Sequence, residues 1–497
     1  WRILFEDIKT LFEQYKNGSS FKLPAKTDSF KYWATELKKI AKSDTIIKEK
    51  YYWNNILEQS AFVLPKDFDY KVNSRDLEEK YHFQLSEEQT ELLLTNANRA
   101  YNTDINDILL FSLGLSIEET FKINTVAINL EGHGRENIIK DIDISRTVGW
   151  FTTNFPIIIN ITKEELSIQL KKTKEYLHKI PNKGIGFGIL KHYSNLLRLS
   201  DNTKPQLSFN YLGQFDTDVQ SSEFEMAGED KGNEISPLRE RSSEIEIVGM
   251  IAGHKLSFTF TYNHKQFKKQ VIEGFASSYK KQLDLVINHC SEKIKSENTP
   301  CDFDYKDLSL DELDNLFNNV NDDKEKKNDL LTENVKNIYV LSPMQESMLF
   351  QNLVSSDSSL YLEQISYRIE GSQDVSTVKK SFDLLAERYD VLRTVFNHSA
   401  ALRPLQIVLK NRENTFTYID NRHQSEEYEI EKTLKEYKNK DIEKGFDLTK
   451  DPLMRLAVIQ ITDNEFEYIW THHHILMDGW CMGILISDFL NIYQTLI

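Results

Sequence analysis

Apolar side chains recur at spacings of three and four near the start of the chain, at Leu4, Ile8, Leu11, Phe12 and Tyr15. That spacing predicts a helix over residues 1–15 with one buried face, closed by Gly18. The stripe returns after Gly483, at Leu485, Phe489, Ile492 and Leu496, and Ile3, Leu4 and Asp7 lie over Ile484, Leu485 and Asp488 when the two are superposed. The coincidence predicts that both ends of the sequence are one point of a repeated unit. Between 79 and 290, helical periodicity at 86–100, 104–119, 163–178 and 268–286 alternates with strand-like runs at 125–130, 156–161, 207–211, 244–251 and 255–262, the pattern of a mixed α/β domain. From 291 to 335 Asp, Asn, Lys and Glu dominate with few apolar anchors, ending in the charged run 321–329. This predicts a linker with one short helix, opened by the capping-box spacing of Ser309 and Glu312. A second α/β unit is expected from 336. Its helix over 376–389 puts Val378, Phe382, Leu385 and Tyr389 on one face, and its strands 455–461 and 465–474 turn at Asp463 and Asn464.

Composition narrows the class. At roughly 100 to 200 residues per domain, 497 residues make room for several compact units. Apolar residues are 40% and charged residues 28% of the chain, the usage of an ordinary folded protein rather than a collagen, a disordered tail or a coiled coil. Sixty-one Lys and Arg against 77 Asp and Glu leave a net charge of −16. Such a field repels phosphate backbones and anionic lipid, so neither nucleic acid nor a membrane is expected as a partner. No run reaches the ~18 to 20 apolar residues of a membrane span, and the N-terminus lacks a basic-then-apolar leader. The three cysteines, Cys290, Cys301 and Cys481, have the spacing of neither a zinc knuckle nor a disulfide framework, so a reducing cytoplasmic setting is expected. Because the chain opens at Trp1, inside a periodic stretch, rather than at a methionine, it is expected to be a piece of something longer.

The most informative string is Thr471-His472-His473-His474-Ile475-Leu476-Met477-Asp478-Gly479, at the end of a predicted strand. Alternation puts His472 and His474 on one face and His473 on the other, so one imidazole can meet a substrate while its neighbour packs. A neutral imidazole at a strand end suits proton exchange with an attacking amine or hydroxyl. Zinc binding lacks a third ligand at a familiar spacing. A satisfied structural cluster and acyl-transfer chemistry both remain compatible with these residues. Gly479 is expected to permit a tight backbone before a helix starting near Trp480. Asp478 is expected to pair with Arg393, a buried ion pair that holds the loop's shape.

A second string, Asn129-Leu130-Glu131-Gly132-His133-Gly134-Arg135-Glu136, ends another strand. Glycines on both sides of His133 predict a sharp turn, with Glu131 just before it. Partly desolvated, that carboxyl would have a raised pKa and could exchange a proton at an activated carbon. A surface turn with an Arg135–Glu136 pair is the plainer reading of the same residues. The stretch 147–156 predicts a buried aromatic turn ending at Pro156. Residues 181–188 are glycine-rich but lack the Lys-Ser pair and leading strand of a phosphate loop.

Together these strings resemble the epimerization and condensation domains of non-ribosomal peptide synthetases. Residues 473–479 match the HHxxxDG motif of condensation domains, and 341–350 and 387–396 resemble two earlier motifs of that family, with Tyr389 where His is more usual. Residues 131–136 fit the EGHGRE motif of epimerization domains, 147–156 TVGWFTxxFP, 181–188 PxxGxGFG and 209–214 FNYLGQ, in that order. The resemblance implies an α/β (α+β) fold: chloramphenicol acetyltransferase-like lobes of mixed sheet with flanking helices, two lobes joined by a linker. It implies that 1–78 is the tail of an epimerization domain's N-terminal lobe, 79–290 its C-terminal lobe, 291–335 a linker, and 336–497 the N-terminal lobe of a condensation domain. The implied function is epimerization of a carrier-bound aminoacyl or peptidyl thioester, L to D, followed by condensation with the next carrier-bound amino acid. Substrates would arrive as 4'-phosphopantetheine thioesters on peptidyl carrier domains, beside adenylation domains, with no cofactor or metal held by the chain itself.

In that resemblance Glu131 and an HHxxxDG histidine face the α-carbon, and Asn210 and Tyr211 are candidate donors to the transient enolate. His474 lies beside the attacking amine, with His473, Asp478, Gly479, Arg393 and His133 in supporting places. Epimerization domains run from HHxxxDG directly into a Trp-Arg-Ile-Leu helix, and Trp1-Arg2-Ile3-Leu4 opens this chain. Neither active site is therefore expected to be complete here. A non-catalytic platform that docks carrier proteins and a coenzyme A-dependent acyltransferase are the alternatives from other classes.

Overall fold

Runs of β-branched and aromatic residues set the strands. The computed structural model describes residues 2–60, 63–197, 204–214, 232, 235–318, 334–355, 359–399, 401–424 and 426–497; Trp1 and the charged run 321–329 lie outside them. The chain forms two units, Trp1–Ser296 and Glu297–Ile497.

The first unit is built on six strands, β1 (Glu78–Gln84), β2 (Thr125–Gly132), β3 (Thr153–Asn160), β4 (Leu207–Gln214), β5 (Ile245–Ala252) and β6 (Lys255–Asn263). They lie in the order β1-β6-β5-β4-β2-β3. β2, β4 and β5 are parallel neighbours, and the remaining pairs are antiparallel. The β5–β6 hairpin turns at Gly253 and His254, both at positive φ, as the twist of a two-residue hairpin requires. Helix Ile105–Phe121 opens on a reciprocal Asp104–Asp107 capping box and is buried along most of its length, from Asp107 to Gly114 without a break. It packs with the long helix Lys269–Ser291, and Phe83, Phe258, Phe260, Phe275 and Tyr279 interlock in the core with ring centroids 5.0–6.1 Å apart.

Helices Phe30–Ile40 and Asp44–Gln59 send Trp33, Trp53, Ile56 and Leu57 into this same core, so the stretch 1–78 packs with 79–290. One result differs from expectation here. Helix Arg2–Lys16 forms where the periodicity placed it, yet none of its residues is buried. It is held on its polar side, where Arg146 pairs with Glu6 and Asp7 at 2.6 Å each, and Leu4, Ile8, Phe12 and Tyr15 stay exposed.

The second unit carries two sheets. β7 (Val335–Val340), β9 (Thr394–Asn397) and β10 (Leu405–Leu409) form one, in the order β7-β10-β9; β8 (Leu362–Glu370), β11 (Thr415–Asp420), β12 (Met454–Thr462) and β13 (Glu465–His473) form the other, in the order β11-β12-β13-β8. β13 is a central strand, buried from Phe466 to its end. Helix Gly479–Leu496 packs with helix Val375–Arg388 and buries Met482, Leu485 and Phe489; of the predicted stripe, Ile492 and Leu496 stay half-buried. Tyr389 donates its hydroxyl to Asp488 at 2.6 Å, beside an Arg388–Asp488 pair at 3.0 Å.

The stretch expected to be a linker is folded over most of its described length. Phe303, Leu308, Leu313, Leu316 and Phe317 share a core with Val335, Ile338, Leu405 and Ile407 of the three-stranded sheet. The short helix Leu310–Asn318 opens on the predicted Ser309–Glu312 box. A few well-spaced apolar side chains are enough to seat a segment whose composition is otherwise that of a solvated tail.

Candidate functional site

Two sets of candidate residues lie in separate units, and each is built by its own sheet. In the first unit the C-terminal ends of β2, β4 and β5 open on one side, where parallel strands present groups to ligands. Glu131 is next to last in β2, opposite Asn154 on β3. The last β2–β4 pair is Leu130 with Phe209, which brings Asn210 level with Glu131, and the two side chains hydrogen-bond. Burial pushes the Glu131 carboxyl above its ordinary pKa, and the Asn210 amide offsets part of that rise. A carboxyl placed this way can take and return a proton closer to neutral pH than an exposed one.

Asn210 and Tyr211 are successive residues of a strand and therefore face opposite sides. Tyr211 follows Leu207 and Phe209 to the core side, where burial pushes its hydroxyl up to about 12 and leaves that oxygen without a partner among the described residues. The expectation of two donors at one site is corrected: Asn210 meets Glu131, and Tyr211 does not share its face.

The turn after Glu131 is clamped. Gly134 has φ +65°, and a Cβ there would lie 1.7 Å from the carbonyl oxygen of Phe151. Arg135 donates to the carbonyls of Ile144 at 2.5 Å and Thr147 at 2.8 Å, and its guanidinium stands 4.0 Å from the centre of the Phe151 ring. The EGHGRE and TVGWFT strings are thus two sides of one contact. His133 is engaged within its own turn, accepting the Arg135 N–H at Nδ1 and lying 3.3 Å from Glu136 at Nε2. The plainer Arg135–Glu136 pairing gives way to this arrangement.

The aromatic turn is only half buried: Phe151 and Phe155 are inside, but Trp150 is 81% exposed. Phe30 and Trp33 fill the space beneath it, Phe30 lying against both Gly149 and Phe151. The glycines of 181–188 serve packing. Gly184, at φ +85°, sits against the Phe155 ring, and Gly186 sits against Glu49, whose buried carboxylate accepts from Trp53 at 2.8 Å and Asn182 at 2.7 Å.

In the second unit the histidines alternate as the strand dictates. His473 is 1% exposed. Its Nδ1 accepts the Ile475 N–H at 3.1 Å, and burial holds its pKa down to about 4, so the ring is neutral. His472 is also buried and pushed down, its Nε2 3.3 Å from Glu363 on β8. His474, just past the strand, is partly exposed. Its Nδ1 donates to the Met477 carbonyl at 2.8 Å, which leaves Nε2 with the free lone pair. Gln345 of the earlier motif donates to the Ile475 carbonyl at 3.0 Å while its Oε1 caps Ser342, tying that motif to the histidine loop.

Two expectations about this loop are corrected. Asp478 does not pair with Arg393: it caps helix Gly479–Leu496, accepting the Cys481 N–H, and the Cys481 thiol together with that N–H lowers its pKa. Arg393 is buried and donates to the carbonyls of Leu409, Ala386 and Glu387 and to Asp390 at 2.6 Å. A carboxylate three residues away answers the guanidinium before one from another element is needed. Gly479 has no positive φ, and a Cβ there would meet nothing within 4 Å, so the backbone does not require glycine. Glu363 is the residue that sequence reading missed. Nothing in LEQISYRIE marks it, because its position beside His472 arises from pairing across β8 and β13.

Comparison with known proteins covers nearly the whole chain. The family model for the condensation domain matches residues 1–309 and 335–497. Bacitracin synthase 3 of Bacillus licheniformis is 38% identical over 503 residues, covering 100% of this chain and 8% of the relative. Gramicidin S synthase 1 of Brevibacillus brevis is 43% identical over 330 residues, covering 64% of this chain and 30% of the relative. The chain therefore spans less than a third of the length of these relatives. The crystal structure of the epimerization domain from the third module of tyrocidine synthetase B aligns with a TM-score of 0.55 at 39% identity, over 59% of this chain and 67% of that one. Its likeness carries the chloramphenicol acetyltransferase-like fold expected for the lobes. No described helix is long and apolar enough to cross a membrane.

Proposed function

The chain belongs to the condensation-domain family of non-ribosomal peptide synthetases, and from that premise we propose that its two units serve two consecutive steps on carrier-bound thioesters. The first unit epimerizes an aminoacyl or peptidyl thioester, and the second takes part in forming the next peptide bond. The observation that carries this reading is the pair of ordered motif sets, each with its acid–base group in place: Glu131 level with Asn210, and His474 with Nε2 free.

The thioester carbonyl acidifies the neighbouring α-hydrogen. Removal of that proton leaves an enolate, and return of a proton on the opposite face inverts the centre with no net change of atoms. Glu131 exchanges the proton on one face, and the Asn210 amide keeps its carboxyl oriented. In the condensation step the acceptor's amine nitrogen bonds to the thioester carbon, the C–S bond breaks, and a proton passes from nitrogen through His474 Nε2 to the departing thiolate.

In the family's layout HHxxxDG precedes the EGHGRE glutamate of one domain, whereas here His473 and His474 follow Glu131. We therefore assign the two sites to successive domains. Carrier and adenylation domains of the same assembly line are the proposed partners, and phosphopantetheine arms the carriers of substrate.

The test uses the synthetase that carries this chain, with its carriers loaded. Glu131→Gln is expected to abolish D product while carrier loading persists, and His474→Ala to stop peptide bond formation. Undiminished D product in the first variant, or normal dipeptide release in the second, removes the residue concerned from the mechanism.

A further inference from the structure

Resting on the condensation role proposed for His474, we propose that Glu363 is a positioning residue for that reaction, a carboxylate that stabilises the imidazolium formed when His474 takes the acceptor amine's proton. Glu363 lies on β8, the edge strand beside β13, paired across the sheet with His472. One of its oxygens is 3.3 Å from His472 Nε2, and the other is 3.8 Å from His474 Nδ1. His472 and His474 share a strand face, so a single carboxylate reaches both.

The buried ring of His472 stays neutral and offers Glu363 an N–H rather than a charge. The negative charge is therefore left facing His474. His474 keeps its Nδ1 proton on the Met477 carbonyl, so Nε2 is the atom that gains a proton and the whole ring becomes cationic. A carboxylate oxygen 3.8 Å from Nδ1 attracts a positive charge on that ring. Near the ring, His473 is buried and neutral, and the Asp478 carboxylate is committed to the helix N-terminus. Tyr361, at φ +63°, accepts the His474 backbone N–H through its carbonyl at 2.8 Å, which holds the histidine backbone to the start of β8 and hence to Glu363. The arrangement follows the general logic of a base oriented and charge-balanced by a third group.

The experiment measures peptide bond formation in the synthetase that carries this chain, with donor and acceptor carriers loaded, for wild type, Glu363→Gln and Glu363→Asp. Thermal unfolding of each variant reports folding. Glu363→Gln is expected to lower kcat about tenfold with the KM for the acceptor carrier unchanged, and Glu363→Asp, which keeps the charge, to retain most of the wild-type kcat. Wild-type kcat in Glu363→Gln, equal losses in Gln and Asp, or a loss confined to KM would overturn the role given to Glu363. A wild-type enzyme that makes no peptide bond with both carriers loaded would instead overturn the condensation reading, and with it this inference.

Discussion

Glu131 on β2 and Asn210 on β4 stand level on adjacent parallel strands, joined by a side-chain hydrogen bond one step beyond the last backbone pair of those strands. The arrangement costs stability. Burial raises the folded pKa of Glu131 above its unfolded value of 4.5, so the folded state holds the proton more tightly than the unfolded chain. Stability therefore falls as pH rises from 4.5 toward the folded pKa, and the cost is fully present above it. Glu131→Gln is expected to unfold at a higher temperature than wild type at pH 7 and at the same temperature below pH ~4. Thermal melts of both proteins across that range check this, and equal melts at pH 7 would contradict it.

The buried histidine of the second unit acts in the opposite direction. His473 has a folded pKa of about 4 against an ordinary 6.5, so on acidification the unfolded chain takes up the proton first. Stability is lost as pH falls from 6.5 to about 4, by about 3 kcal/mol over the window. His473→Asn keeps an acceptor for the Ile475 N–H and removes the titration. Its melting temperature should vary less with pH between 6.5 and 4 than that of wild type, read by scanning calorimetry.

Arg393 and Asp478 have no common partner. Arg393→Ala leaves three carbonyls without its donors, while Asp390 keeps Lys336, and is expected to cost about 3 kcal/mol. Asp478→Ala removes one helix cap and costs much less. A double-mutant cycle on denaturant unfolding should return a coupling below about 0.5 kcal/mol. A coupling of several kcal/mol would restore the ion pair that the sequence suggested.

The glycines of the motifs are unequal. At Gly134 the backbone is left-handed and Phe151 blocks a side chain, so Gly134→Ala should cost about 3 kcal/mol or more and displace the Arg135 clamp. At Gly188 nothing lies within 4 Å of where a Cβ would stand, and the residue is helical. Gly188→Ala should be neutral or stabilising by about 0.5 to 1 kcal/mol. Urea unfolding of the two variants decides the contrast.

Local periodicity carried a large part of the fold. The helix at 105–121 and the strand pair 454–473 were readable as long apolar runs bounded by turn and cap residues, the pattern of elements buried on nearly every side. β1 and β8 were not readable. Both mix charged and apolar residues, and they are strands because a hydrogen-bonded neighbour, β6 or β13, supplies the pairing. The segment 291–335 looked like a linker with one short helix for a related reason, since composition averages away the few apolar residues that anchor its folded part.

What the sequence determined alone was the chemistry-bearing residue types and their alternation: Glu131 at a strand end before a glycine turn, and three histidines that must face alternate sides. Only the tertiary structure decided which of their neighbours matter. It set Asn210 beside Glu131 and turned Tyr211 into the core, and it brought Glu363 to His472 and His474 from a strand far earlier in the chain. It also gave Asp478 to a helix end and Arg393 to nearby backbone carbonyls. The reason is physical: a residue's face follows from local backbone geometry, but its partner is chosen by sheet register and burial, which only the folded chain supplies.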